Sequence, residues 1–332
     1  MEMPSPAVAY GATDPIFLLL AALAIEAYVG DLLARLPLVP HPRGLLARAA
    51  GALERRLNRP QRSRRALVLR GAVAVLALTF AAAALGLVLA ALTREVAYLW
   101  VVELLVLVAL VGQRSAGREA ARVAGALESG DLVAARWHLN RLTGDLLDPE
   151  AVERWSSARL GLAAVGGLGE RFAGSVVAPV FWYVLLGLPG VLAQQALRTV
   201  ARVVATGNRP GGGGYDRLGE GDFAFFAVRL DNALEWVPDK LAGLYLAAAA
   251  AFVPTTHPWS ALRRLPRGHW WSVAALGGAL RLAARRDASL SPAAAPGARQ
   301  VGRAMGLFTV GCLINAALLG LLVLARQSGF QP

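Results

Sequence analysis

The sequence is short of lysine: of 34 basic residues among 332, only Lys240 is a lysine and the other 33 are arginine. It has one cysteine, Cys312, which excludes an intrachain disulfide and implies no oxidising compartment. The four histidines, His41, His138, His257 and His269, show no metal-ligand spacing, so no resident metal site is expected. Charged residues make up 17% of the chain, against about 25% in a soluble domain. Ala, Leu, Val and Gly take the place of the missing charge, which excludes a disordered tail and a disulfide scaffold. A nucleophile elbow, a zinc motif and a kinase motif set are also missing. Residues 210–214 are glycine-rich, but no Lys-Ser/Thr follows and no strand pattern precedes, which excludes a phosphate loop and a dinucleotide fingerprint. No internal repeat is evident.

What the chain has instead is apolar length. Residues 71–93, 172–197 and 304–325 are uncharged runs of 23, 26 and 22 residues. A membrane-crossing helix needs about 20. Residues 16–29 and 96–112 are further apolar segments, each with one carboxylate, Glu26 and Glu103. Residues 241–253 form a 13-residue run, a length typical of re-entrant or interfacial segments. The expectation is an all-α, polytopic integral membrane protein with about five or six membrane-embedded helical segments, plus helical cytoplasmic loops. Residues 1–14 lack a basic leader, so the first apolar stretch reads as a retained helix.

The arginines are unevenly placed. Residues 30–70 hold ten arginines against two acids, and residues 257–300 hold seven against one. Short basic loops stay in the cytoplasm. The net charge of +12 therefore marks cytoplasmic faces and an anionic leaflet as partner, not nucleic acid. The chain divides as one membrane domain. Residues 30–70 are a basic cytoplasmic loop with an amphipathic helix, 114–171 a helical cytoplasmic region, and 172–256 broken or re-entrant segments with a candidate polar site. A basic cytoplasmic loop (257–303) and a C-terminal membrane helix (304–325) follow. The helix at 46–57 has the pattern of an interfacial helix or of one packed on the other segments. Residues 270–284 are similar. Pro179 and Pro189, with Gly187 and Gly190, break the 172–197 run. Residues 198–240 carry six basic and six acidic residues, so charge leaves their side of the membrane open.

Carboxylates inside apolar segments are costly and point to function. For Glu103 this means a polar cavity or transport role, or else an arginine partner; Glu26 lies close to its segment end. Glu170, Asp222, Asp231, Asn232, Glu235 and Asp239 flank the broken segment, with Asp231 and Glu235 four apart on one helix face. Arginines nearby in sequence, among them Arg202 and Arg229, are of the type that holds phosphate.

The order of these features resembles the CobD/CbiB family of cobalamin-biosynthesis membrane proteins. The matches begin with Gly30-Asp31, Pro40-His41-Pro42 and Leu53-Glu54-Arg55-Arg56-Leu57-Asn58-Arg59. They continue with Ala126-Leu127-Glu128-Ser129-Gly130-Asp131-Leu132, Val176-Val177-Ala178-Pro179-Val180-Phe181-Trp182 and Gly187-Leu188-Pro189-Gly190. Thr199, Asn208, Tyr215, Arg229-Leu230-Asp231-Asn232 and Trp236-Val237-Pro238 complete the series. The resemblance covers residues 15–255. It implies adenosylcobinamide-phosphate synthesis: an amide joining an aminopropanol-type amine, or its phosphate, to adenosylcobyric acid, with ATP and Mg2+ as cofactors and the corrinoid as substrate. It implies Glu170 and Asp231 as catalytic residues. It implies Asp31, His41, Thr199, Asn208, Tyr215, Arg229 and Asn232 as substrate-binding residues, on the inner membrane of a bacterium.

The chain departs from the family pattern in several polar positions. Arg171, Gly174 and Ser175 stand where the family has Asn, Asp and Gly, and Val200-Ala201 stand for Leu-Asp. These departures resemble AmpE, a non-catalytic membrane family that keeps Pro-x-Phe-Trp and Trp-Val-Pro strings. An AmpE-like regulatory or assembly protein is the alternative.

Overall fold

The computed structural model describes residues 14–29, 42–58, 63–96, 98–144, 147, 149–207, 222–267, 270–282 and 297–328. Among them every regular element is a helix. These are α1 (Pro15–Val29), α2 (Pro42–Leu57), α3 (Arg64–Glu95), α4 (Trp100–Leu110), α5 (Gln113–Glu128), α6 (Leu132–Thr143) and α7 (Pro149–Glu153). They continue with α8 (Ser157–Phe172), α9 (Ala178–Gly207), α10 (Phe225–Ala249), α11 (Pro258–Arg264), α12 (Trp271–Ala279) and α13 (Ala298–Gln327). Four helical stretches are long and apolar enough to cross a membrane: α3, α4 running on into α5, α8 running on into α9, and α13. The shorter apolar α1 joins them. The protein is an all-α polytopic membrane protein, as its apolar runs require.

Three apolar clusters organise the helices. Ile16 and Leu19 of α1, Leu107 of α4, Val191 of α9 and Leu319 of α13 form one, at the end of the bundle called outer here. Residues of α5, α6, α8, α10, α12 and the first half of α13 form a second, at the inner end. The third joins α2, the start of α3, the last part of α9 and the start of α10. In it Ala50, Leu53 and Leu57 of α2 pack with Leu197, Val200 and Val204 of α9, while Arg55 and Arg56 stay exposed. The apolar stripe of α2 therefore covers another helix. The 270–284 stretch also turns inward: Ala275, Leu276 and Ala279 of α12 are fully buried.

The broken run reverses direction. Gly187 has φ 66° and ψ −155°, which interrupts α9 two residues before Pro189; only glycine adopts such a backbone at little cost. Before this apex the chain follows α4, with Ser175 beside Gly112 and Tyr183 beside Glu103. After it the chain follows α3 back. Pro189 packs so tightly on Gly86 that a Cβ there would sit 2.6 Å from its Cα, and Val200 packs with Val75. Both arms therefore begin and end at the inner end. α10 starts there too, where Phe223 crosses Gly71.

A turn of π-helix, Ala173–Val177, precedes α9. Pro179 lacks the N–H that would bond the Ser175 carbonyl four residues back. That carbonyl instead accepts from the Gly112 N–H at 3.1 Å, at the start of α5. Glu26 completes the same helix start: its carboxylate accepts the Arg114 N–H at 3.0 and 3.2 Å. A carboxylate at a helix N-terminus is favoured by the free N–H groups and the dipole, so Glu26 has a structural role. In the α5–α6 hairpin, Asp131 caps α6 by accepting the Ala134 N–H at 2.9 Å.

Candidate functional site

At the inner end, α8, the π-turn, α9 and α10 meet in a polar seam. Its centre is Arg198 on α9, ion-paired with Glu235 of α10; both are buried. Arg198 also fills the space beside Gly174, where any Cβ would overlap its guanidinium. Asp231, one turn before Glu235, and Glu170 of α8 lie within electrostatic reach of the same guanidinium, as do Arg171 and Arg202. Three carboxylates and three arginines thus surround one point.

The rim is half-buried. Asp231 has its Oδ1 shut off from solvent. Burial pushes its carboxyl above the usual range, against the pull of Arg198 and Arg202. Arg171 is committed to α6: its Nε donates to the Leu142 carbonyl at 2.7 Å and its Nη2 to the Arg141 carbonyl at 3.0 Å. This places a cation at the negative end of α6. Just beyond, Gly144 turns the chain with φ 74°, and the Arg202 guanidinium lies against it. One turn before Arg198, Gln194 is buried with both ends of its amide unpartnered among the described residues, and Gln195 leaves its Nε2 so. Buried amides without partners cost free energy, and a bound polar group would satisfy them.

The seam brings together Glu170 and Asp231. Thr199 is beside it, with its hydroxyl donating to the Gln195 carbonyl at 2.7 Å within the helix. Arg229 and Asn232 are exposed; the Arg229 guanidinium lies 5.2 Å over the Phe225 ring. Asp31, His41, Asn208 and Tyr215 lie outside the described residues. Asp239 turns away from the seam: it accepts from the Trp271 N–H at 2.6 Å and from the Ser272 N–H and hydroxyl at 3.2 and 2.5 Å. It therefore caps α12. Burial nevertheless raises its carboxyl above the ordinary range, against the pull of those bonds and Lys240. That lysine lies between two indoles, 3.9 Å from the Trp236 ring and 4.5 Å from the Trp271 ring.

Arg198, Gln194 and Gln195 are the residues that sequence reasoning missed. The signal was the Gln-Gln-x-x-Arg spacing at the end of the apolar run, which puts three polar side chains within one turn.

The described residues fit an anion better than a divalent cation. Among them no group of three His, Cys, Asp or Glu is placed to hold a metal, and a guanidinium already occupies the middle of the seam.

Comparison with known proteins accords with this architecture. The family model described as CobD/Cbib protein matches residues 19–289. A protein of Sinorhizobium named cobalamin biosynthesis protein CobD is 32% identical over 243 residues, covering 72% of this chain and 70% of its own. A protein of the same name from Brucella anthropi is 30% identical over 278 residues, 81% of each chain. The one from Rhodobacter capsulatus is 31% identical over 175 residues, 51% of each. No solved structure matches the chain. A match reaching from α1 into the stretch beyond α12, with relatives aligned along most of their length, places the chain in the CobD/CbiB family.

Proposed function

We propose that the protein is a bacterial inner-membrane adenosylcobinamide-phosphate synthase. It joins an aminopropanol-type amine, or its phosphate, to a carboxylate of adenosylcobyric acid at the α8–α9–α10 seam; ATP activates that carboxylate, so the oxygen displaced by the amine leaves on phosphate. The observation that carries this reading is the Arg198-centred cluster with unsatisfied amides beside it, built by the segments that resemble the family. Arg198 and Arg202 supply positive charge for carboxylate and phosphate oxygens. Asp231, whose proton affinity burial raises, takes the proton that the attacking ammonium must lose. Glu170 balances the arginine charge on the other wall. The described acids face guanidinium groups and not a shared metal position.

Complementation tests the reading. The gene is expressed in a strain lacking the synthase, with growth dependent on cobyric acid. Growth is expected, and Glu170→Ala is expected to reduce it strongly at the same level of protein in the membrane. Failure to grow with the protein present in membranes would overturn the enzymatic reading in favour of a non-catalytic relative. A fully active Glu170→Ala protein would overturn the site.

A further inference from the structure

The outer ends of α1, α3 and α4 and the Gly187 apex of α9 line a half-open cavity of about 630 Å3, within the ordinary range for small-molecule sites. Its walls include Leu18, Leu87, Leu186 and Pro189, and two aromatic side chains, Trp100 and Tyr183. Glu103 reaches it from a membrane-crossing segment. The Tyr183 hydroxyl donates to Glu103 Oε1 at 2.6 Å. The Thr93 hydroxyl stands 3.3 Å from Oε2 and 3.0 Å from the Ala90 carbonyl, and donates to one of the two. Glu103 lies in the first turn of α4. Asp14 also lines the cavity, with its Oδ1 accepting the Ile16 N–H at 2.9 Å, so the wall carries two carboxylates.

Among the described residues no Arg, Lys or His forms an ion pair with Glu103. A carboxyl group held in a mainly apolar wall with no cation beside it is a costly placement, and a cationic ligand would offset it. A metal ion of the Mg2+ or Ca2+ type requires six or more oxygens; two carboxylates in a wall that is otherwise mainly apolar and aromatic suit an alkylammonium better. We infer that this cavity is a binding site for a small organic cation, an amine with an alkyl body, with Glu103 as its counter-ion and Trp100 and Tyr183 as its walls. The site lies at the opposite end of the bundle from the Arg198 seam and does not depend on the proposed reaction.

The test uses the full chain in lipid nanodiscs at neutral pH, with n-butylammonium as the probe and n-butanol as its uncharged counterpart, followed by titration calorimetry. Saturable n-butylammonium binding is expected, at least tenfold tighter than n-butanol. Glu103→Gln, with an unchanged melting profile, is expected to weaken it at least tenfold, about 1.4 kcal/mol, and Tyr183→Phe to weaken it less. Absence of saturable binding to the native chain would overturn the inference. So would equal affinity for the two probes, a comparison that needs no variant, or undiminished binding by Glu103→Gln.

Discussion

Arg198 closes the apolar run 172–197 when the sequence is read for charge, and so looks like the first residue of a loop. In the fold it is buried, because α9 returns beside α10 and brings Glu235 to it. Sequence spacing put Asp231 and Glu235 on one face but gave no sign of the guanidinium opposite, since the pairing is long-range. Removing one member of a buried ion pair strands the other charge, which costs about 3–5 kcal/mol, whereas an apolar replacement of both costs far less. Arg198→Met and Glu235→Leu are each expected to lower the melting temperature in detergent strongly, and the double variant less than either alone. Glu54 offers a second test. It is buried on α2, and burial raises its carboxyl above the ordinary 4.5, although Asn58 and Arg55 pull it down. The folded state therefore binds a proton more readily than the unfolded one. Stability from this group is present at low pH and falls as pH rises from about 4.5 through the folded value. Glu54→Gln is expected to flatten the melting temperature across that window and to raise it at pH 7.

At the scale of elements, two helix starts, those of α5 and α12, are completed by side chains from elsewhere in the chain. Asp131 capping α6 was legible, because a local cap is a spacing signal. The Asp239 cap on α12 was not, because 32 residues separate donor and acceptor. Asp239 consequently read as one more acid near the polar site. Asp239→Ala removes all three bonds and is expected to cost about 1–2 kcal/mol. Amide exchange at Trp271 and Ser272 would accelerate, while exchange along α5 would not. The π-turn follows the same logic: Pro179 announced a break, but that the released carbonyl would start α5 depends on α4 lying alongside.

For the whole molecule, hydropathy made the helical membrane class and most embedded segments legible. The side of residues 198–240 stayed open, because six basic and six acidic residues cancel. The reversal at Gly187 decides it geometrically for the described residues of that stretch: Asn232 belongs to the same end as Ser129, in the α5–α6 turn, and Tyr98 to the other. In a Cys312→Ala background, Asn232→Cys and Ser129→Cys are expected to react with an impermeant maleimide only from the cytoplasmic face. Tyr98→Cys is expected to react only from outside. Labelling of Asn232→Cys together with Tyr98→Cys would mean that α9 crosses once.

The Gly187 apex also fixes a parity. An arm that goes out and returns adds no net crossing, so among the described helices α1, α3, α4 and α13 are left to change sides, and an even number of passages would leave α1's start and α13's end facing the same compartment. A chain in which α9 passed straight through would invert everything behind it, carrying α10 and the first turns of α13 away from α8. One residue with a left-handed backbone thus keeps the later third of the protein in phase with the first two.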